Sequence, residues 1–299
     1  MRTKVCLKAA VSNAAEHFPT AITFGELVDA YVSSKFDGAD YRLRKWIEAL
    51  GERSAWEITS DQLVAGTDEM IRAGYKPSTV NRDISTIGTV YKWAIARKMA
   101  PRGFTSPTRG MDRFDEDIRQ VEITGQEIQK MLKAANGYKD RRFGIYVRLL
   151  YETGCRKGEI ISRRWKEVDL EQGQILLPAS DCKTGRARVL FFSAETALEM
   201  RRIWPQRDPE LLIFQGRRLG QSINYRRSWL ELTAAIGRPD LHQHDLRHHR
   251  AAELLKAGNT IAVASQVLGH SSLILQRRYG HLETGHLQSA ITASWRPAP

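Results

Sequence analysis

The chain has 299 residues and a formal net charge of +12 at pH 7, from 46 Lys and Arg against 34 Asp and Glu. No apolar run reaches the ~18–20 residues a membrane-spanning helix needs. The first twenty residues hold no long apolar stretch followed by a cleavage site, so no signal peptide is expected, and Cys6, Cys155 and Cys182 fit neither a disulfide framework nor a CxxC metal pattern. These features exclude a spanning protein and a disulfide scaffold. They leave a two-domain basic protein, expected in the reducing cytoplasm, that favours a polyanionic partner.

Residues 20–100 read as a small domain of four helices, behind an N-terminal extension of residues 1–19. Phe24, Leu27, Val28 and Tyr31 mark the first helix, and Leu43, Trp46, Ile47 and Leu50 the second. Thr59, Ser60 and Asp61 offer caps for a third, with Leu63, Val64, Met70 and Ile71 inside it. Pro77 starts the fourth, where Val80, Ile84, Ile87, Val90, Tyr91, Ala94 and Ile95 recur at three and four. Residues 101–121 hold Pro101, Gly103, Pro107 and Gly110 among many charges, and are expected to be a linker.

The second domain is expected over 122–299. Thr124 and Glu127 form a capping box for a helix to about Ala135. A second helix runs from Arg141 to Glu152 and stops at Thr153-Gly154. A short one covers about Gly158 to Arg164. Three apolar runs follow, Val168–Leu170, Ile175–Leu177 and Val189–Phe192. Turns at Glu171-Gln172-Gly173 and Lys183-Thr184-Gly185 separate them, which predicts a small antiparallel sheet. Helices are expected from about Ala194 onward. The fold class is therefore mainly α with one small antiparallel β-sheet.

The segment His244 to Arg250 (HDLRHHR) opens a helix that should end near Ala257, before Gly258. One face reads His244, Arg247, Ala251, Leu254 and Leu255. Its apolar end needs a core, so its first turn carries a His and an Arg into a partly buried place. An unpaired buried charge is costly, so a carboxylate or a phosphate should meet it. The charge is skewed: residues 1–104 hold 15 basic and 12 acidic residues, and residues 105–299 hold 31 and 22. That skew favours the phosphate.

Other chemistry-bearing residues stand in order. Arg156 lies in TGCRKGE, with Glu159 close enough to brace it. Lys183 sits at a hairpin tip in CKTGR. His270 follows the helix-ending Gly269, and Tyr279 comes nine residues later. Nine residues is about half a turn out of phase on one helix. The chain must bend between His270 and Tyr279 if both serve one site, and Ser271-Ser272 can start a new helix.

Taken singly, each residue has an ordinary reading. Arg156 could bind a helix C-terminus, Lys183 could be a solvated turn lysine, Tyr279 a packing residue and His270 a cap. Cys155 reads more readily as a small buried side chain than as a low-pKa thiol. His248, His249 and Arg250 read as solvent-facing or phosphate-contacting. Jointly, the order Arg, Lys, His-x-x-Arg, His, Tyr in the segments TGCRKGEI, KTGRARV, HDLRH and LGHSS resembles the tyrosine recombinases, or phage-type integrases, over nearly the whole chain.

The resemblance implies a helical, SAM-like core-binding domain over 20–100 and an α+β catalytic domain over 122–299. It implies Tyr279 as nucleophile, Arg156 and Arg247 as a clamp on phosphate oxygens, and Lys183 as proton donor to the leaving oxygen. His244 and His270 would assist, with Glu159 behind Arg156. It implies double-stranded DNA as substrate, a homotetramer on paired sites, and no cofactor or metal. The skewed charge predicts a DNA clamp hinged at the linker.

Three alternatives use the same residues. HDLRH imitates the H-E-x-x-H zinc motif, with His242 and His249 nearby, but Asp245 is a short base and Arg247 would repel a cation. A DNA-binding regulator with a dead site, or a related topoisomerase, would keep the fold and change the outcome.

Overall fold

The computed structural model describes residues 22–34, 41–116, 121–182, 185–269 and 271–279. The chain divides into two compact units, Met1–Arg119 and Gln120–Pro299.

The first unit contains α1 (Phe24–Ser33), α2 (Arg44–Leu50), α3 (Ser60–Arg72) and α4 (Pro77–Ala96). Thr23 and Glu26 cap α1 reciprocally, Thr59 and Gln62 do the same for α3, and Pro77 opens α4 at a position that needs no N–H. Phe24, Leu27, Leu43, Leu63, Ile84, Ile87 and Tyr91 form the core. A buried carboxylate, Asp83 of α4, ties in α2: it accepts from Trp46 Nε1 at 3.0 Å and pairs with Lys45 Nζ at 2.7 Å. Residues 101–116, expected as linker, lie along this unit. Phe104, Met111 and Phe114 pack on its core, and the Asn81 amide donates to the Phe114 carbonyl at 2.8 Å and accepts from its N–H at 3.0 Å.

The second unit contains α5 (Gly125–Asn136), α6 (Arg141–Thr153), α7 (Lys157–Ile161), β1 (Val168–Asp169), β2 (Gln174–Leu177), β3 (Arg188–Phe191), α8 (Ala194–Ile203), α9 (Arg226–Ala235), α10 (Gln243–Lys256), α11 (Ile261–Leu268) and α12 (Ser272–Tyr279). The sheet is antiparallel in the order β1-β2-β3, with Ile175 opposite Val168 and Leu190, and Leu177 opposite Arg188. Helix α6 is the centre: Phe143, Ile145, Tyr146, Val147, Leu149 and Leu150 are all buried, so nearly its whole circumference is covered. A smaller cluster of Ala251, Leu255, Ala264, Leu268, Leu275 and Tyr279 joins α10, α11 and α12. Among the described residues no helix is long and apolar enough to cross a membrane.

Three local expectations change. The helix expected to reach Arg164 stops at Ile161, because Arg163 turns inward. Only 1% exposed, it pairs with Glu167 at 2.8 Å and with Asp181. Continuous helix after Ala194 is interrupted over 204–225, where Pro205, Pro209, Gly216 and Gly220 favour turns. On α10 the buried stripe is Arg247, Ala251 and Leu255, joined by Asp245 and Leu246. His244 lies on the exposed side of the first turn, and Leu254 is half-buried.

Candidate active site

Two left-handed glycines build the site. Gly154 (φ +59°) ends α6, and a Cβ there would meet Leu268 Cδ2 at 2.5 Å; Gly269 (φ +63°) ends α11, and a Cβ there would meet Arg188 Nε at 2.8 Å. Only glycine suits both the backbone conformation and the space. Each glycine turns the chain sharply and leaves a helix C-terminus with carbonyls that the helix itself does not satisfy.

Arginines take those carbonyls. Arg247, 1% exposed, donates from Nη1 to the Gly154 carbonyl at 2.8 Å and from Nη2 to the Leu268 carbonyl at 2.6 Å. Arg188 donates from Nη1 to the Val267 carbonyl at 2.7 Å. Arg156 Nη2 reaches the Gly269 carbonyl at 3.4 Å. Three guanidinium groups therefore converge on the last turn of α11, the negative end of its dipole.

Glu159 is the carboxylate that two of them share. It is 5% exposed, pairs with Arg156 Nη1 at 2.8 Å, accepts from the Arg156 N–H at 2.7 Å, and also holds Arg188. Burial pushes its carboxyl up, but the Arg156 amide and the charges of Arg188 and Arg156 outweigh that and hold it below the ordinary value. Burial, and then the charge of Arg156, push Arg247 down to about 9 while Glu159 opposes them. The sequence anticipates a buried charge awaiting an anion. In the free protein, carbonyl dipoles occupy part of that role.

Tyr279 ends α12 and is 9% exposed. Its hydroxyl lies 2.9 Å from His248 Nδ1 and 3.3 Å from the His248 carbonyl. The His244 and His248 rings meet edge to face at 4.7 Å. The bend expected before Tyr279 is present, since α11 ends at Leu268 and α12 begins at Ser272. Thus Arg156, Glu159 and Arg247 come together, and Tyr279 docks on the residue after Arg247. Lys183 and His270 lie outside the described residues.

Two residues outside the expected set emerge. His248, which the sequence suggests is solvent-facing or phosphate-contacting, meets the Tyr279 hydroxyl; its neighbours His249 and Arg250 turn to Tyr151 and Glu253 instead. A helix places residue 248 about 100° around from residue 247, so spacing alone does not aim it at the site. Arg188 shares the inward parity of buried Leu190 on β3, but its partners lie far along the chain and no local motif marks it. In the segment that imitates the zinc motif, Asp245 accepts from the His242 N–H at 2.7 Å. Among the described residues no three metal-ligating side chains converge.

Cys155, beside Arg156, is 3% exposed, and burial pushes its thiol up to about 11. It should resist iodoacetamide at pH 8 in the folded protein and react once denaturant is added, as peptide mass mapping would record. Labelling in the native state would contradict this environment.

Comparison with known proteins agrees with this architecture. Residues 122–286 match the phage integrase family, and residues 40–98 match the phage integrase N-terminal SAM-like domain. The tyrosine recombinase XerC of Xanthomonas campestris pv. campestris (strain B100) is 25% identical over 303 residues, covering 95% of this chain and 89% of that protein. The tyrosine recombinase XerA of Saccharolobus solfataricus is 28% identical, covering 83% and 75%. In fold, the chain is similar to the Tn1549 transposon integrase in complex with a circular intermediate DNA (TM-score 0.70, 17% identity, 87% of this chain and 95% of that one). It is also similar to a lambda integrase dimer bound to a COC' core site (TM-score 0.65, 18% identity, 91% and 79%). The chain belongs to the phage integrase family, the tyrosine recombinases that its motifs resemble, and is a DNA strand-transferring enzyme of that class.

Proposed function

We propose that this protein is a site-specific DNA recombinase that cuts and rejoins strands through a 3′-phosphotyrosine at Tyr279, using neither metal nor ATP. The observation that carries the reading is the three guanidinium groups gathered at the end of α11, one of which, Arg247, adjoins on α10 the His248 imidazole that meets the Tyr279 hydroxyl.

An unassisted phenol is a poor nucleophile at neutral pH, since about 0.1% is ionised at its ordinary pKa of about 10. In this reading His248 Nδ1 takes the phenolic proton as Oη attacks the phosphorus. The P–O5′ bond breaks, and Lys183 protonates the departing oxygen. Arg156 and Arg247 neutralise the charge gathering on the non-bridging oxygens, where preorganised donors each contribute on the order of 3–4 kcal/mol, not additively. His244 and His270 assist at the phosphate. The cations supply the charge a metal would otherwise provide. The phosphotyrosine conserves the energy of the original phosphodiester, so a 5′-hydroxyl can expel the phenolate and reseal the strand without ATP.

Residues 20–100 and 122–299 would act as core-binding and catalytic domains on double-stranded DNA, with four protomers on a pair of sites. A lambda integrase tetramer bound to a Holliday junction, similar in fold, supports that assembly. The test uses nicked duplexes tiled across the DNA flanking the gene. A covalent protein–DNA band on a denaturing gel, lost in Tyr279→Phe, is the expected result. Binding without any adduct would favour a regulator, and relaxation of plasmids lacking paired sites would favour a topoisomerase.

A further inference from the structure

A strand position that faces the core normally carries an apolar side chain, as Leu190 does two residues along β3. Arg188 breaks that rule with a side chain only 9% exposed. Burying a guanidinium carries a desolvation cost that good partners must offset. Its partners are informative: one Nη group donates to the Glu159 carboxylate and the other to the Val267 carbonyl. The same carboxylate holds Arg156 by its side chain and its backbone N–H. The next two carbonyls, of Leu268 and Gly269, receive Arg247 and Arg156. The space over Gly269 is filled by the Arg188 side chain itself, whose Nε, Cζ and Cδ would lie 2.8–3.1 Å from an added Cβ.

We infer that Arg188 is a positioning residue for strand cleavage. It does not need to touch DNA. Through Glu159 it fixes where the Arg156 guanidinium points. Through Val267 it fixes the end of α11, hence the carbonyls that orient Arg247 and the turn that leads to Tyr279. Removing it takes one of the two donors from Glu159 Oε2, which leaves the carboxylate a stronger competitor with a phosphate for Arg156. The Arg156 cation would be drawn off the position where charge develops. This inference rests on the recombinase reading above.

The experiment measures single-turnover cleavage of a nicked duplex at saturating protein, with DNA affinity and thermal midpoint measured on the same preparations. The variants are Arg188→Met, Arg188→Lys, Glu159→Gln and Arg188→Met with Glu159→Gln. Arg188→Met should lower the cleavage rate about 30-fold, as expected for a guanidinium displaced by a fraction of an ångström. DNA affinity should stay within about 2-fold of wild type, because the phosphate contacts elsewhere are untouched. Arg188→Lys should recover part of the rate. The double variant should lose little more than Arg188→Met alone, because both residues act on one target. On a duplex whose scissile phosphate is a methylphosphonate, lacking a charged oxygen for Arg156 to neutralise, the Arg188→Met deficit should shrink.

A rate unchanged in Arg188→Met overturns the inference. So does a deficit additive with that of Glu159→Gln, or one that tracks affinity and midpoint in proportion. Should Arg188→Met fail to fold, Arg188→Lys with the methylphosphonate substrate decides alone. If wild-type protein forms no adduct, the recombinase reading fails first and this inference falls with it.

Discussion

Arg247→Ala should lower single-turnover cleavage about 1000-fold, the upper range for loss of one preorganised donor to a charged transition state. Arg247 is 1% exposed, and its two Nη groups are already aimed by carbonyls from the ends of two helices. A side chain held that firmly need not reorganise when a phosphate arrives. Burial and the charge of Arg156 push its proton affinity down, so an entering phosphate relieves an electrostatic penalty that exists before DNA binds. That relief is greatest when the phosphorane carries its full extra charge, so the loss should fall on the rate more than on DNA affinity. Arg247→Lys should recover no more than about 10-fold, because an ammonium cannot present the guanidinium fork to two acceptors. Rates measured by quenched flow or manual quench check both values. Cleavage by Arg247→Ala within 10-fold of wild type would remove Arg247 from the mechanism.

The second large effect belongs to His248. His248→Ala should slow cleavage between ~100- and ~1000-fold, in the range of a lost proton acceptor. In the proposed mechanism the contact at 2.9 Å from Nδ1 to the Tyr279 hydroxyl would both orient the ring and give its proton a destination. The two contributions separate in the pH profile. If His248 accepts the proton, the rate falls on the acid side as the imidazole becomes cationic, and that limb disappears in His248→Ala. His248→Asn, which keeps a polar atom near Nδ1 without that titration, should recover orientation but not the limb. An unaltered acid limb in both variants would leave His248 with orientation alone.

The sequence conveys the helices of the first unit and the core of the second because their apolar spacing is long and regular, as in Val80 to Ala94. The cap residues Thr59 and Thr124 mark where two helices begin, and both are local signals. What escapes it is decided by distant partners. Arg163 ends α7 early because Glu167 and Asp181 wait for it, and Asp181 is eighteen residues away. Residues 101–116 read as linker since no periodicity marks them, yet Asn81 and the aromatic core give Phe114 and Phe104 a place to lie. In the site, Arg156, Glu159, Arg247 and Tyr279 are legible from order and context. His248 is not, because nothing near it in sequence reveals that α12 returns Tyr279 to it. Nor is Arg188, whose partners lie 29 and 79 residues away.

Everything in the mechanism depends on which atom becomes joined to DNA. The decisive measurement is mass-spectrometric mapping of the protein–DNA adduct after nuclease and protease digestion, with EDTA present during cleavage. One modified peptide is expected, carrying a nucleotide 3′-phosphate on Tyr279, formed equally well with the chelator and missing from Tyr279→Phe. A nucleotide on any other residue, or an adduct that survives Tyr279→Phe, would contradict it.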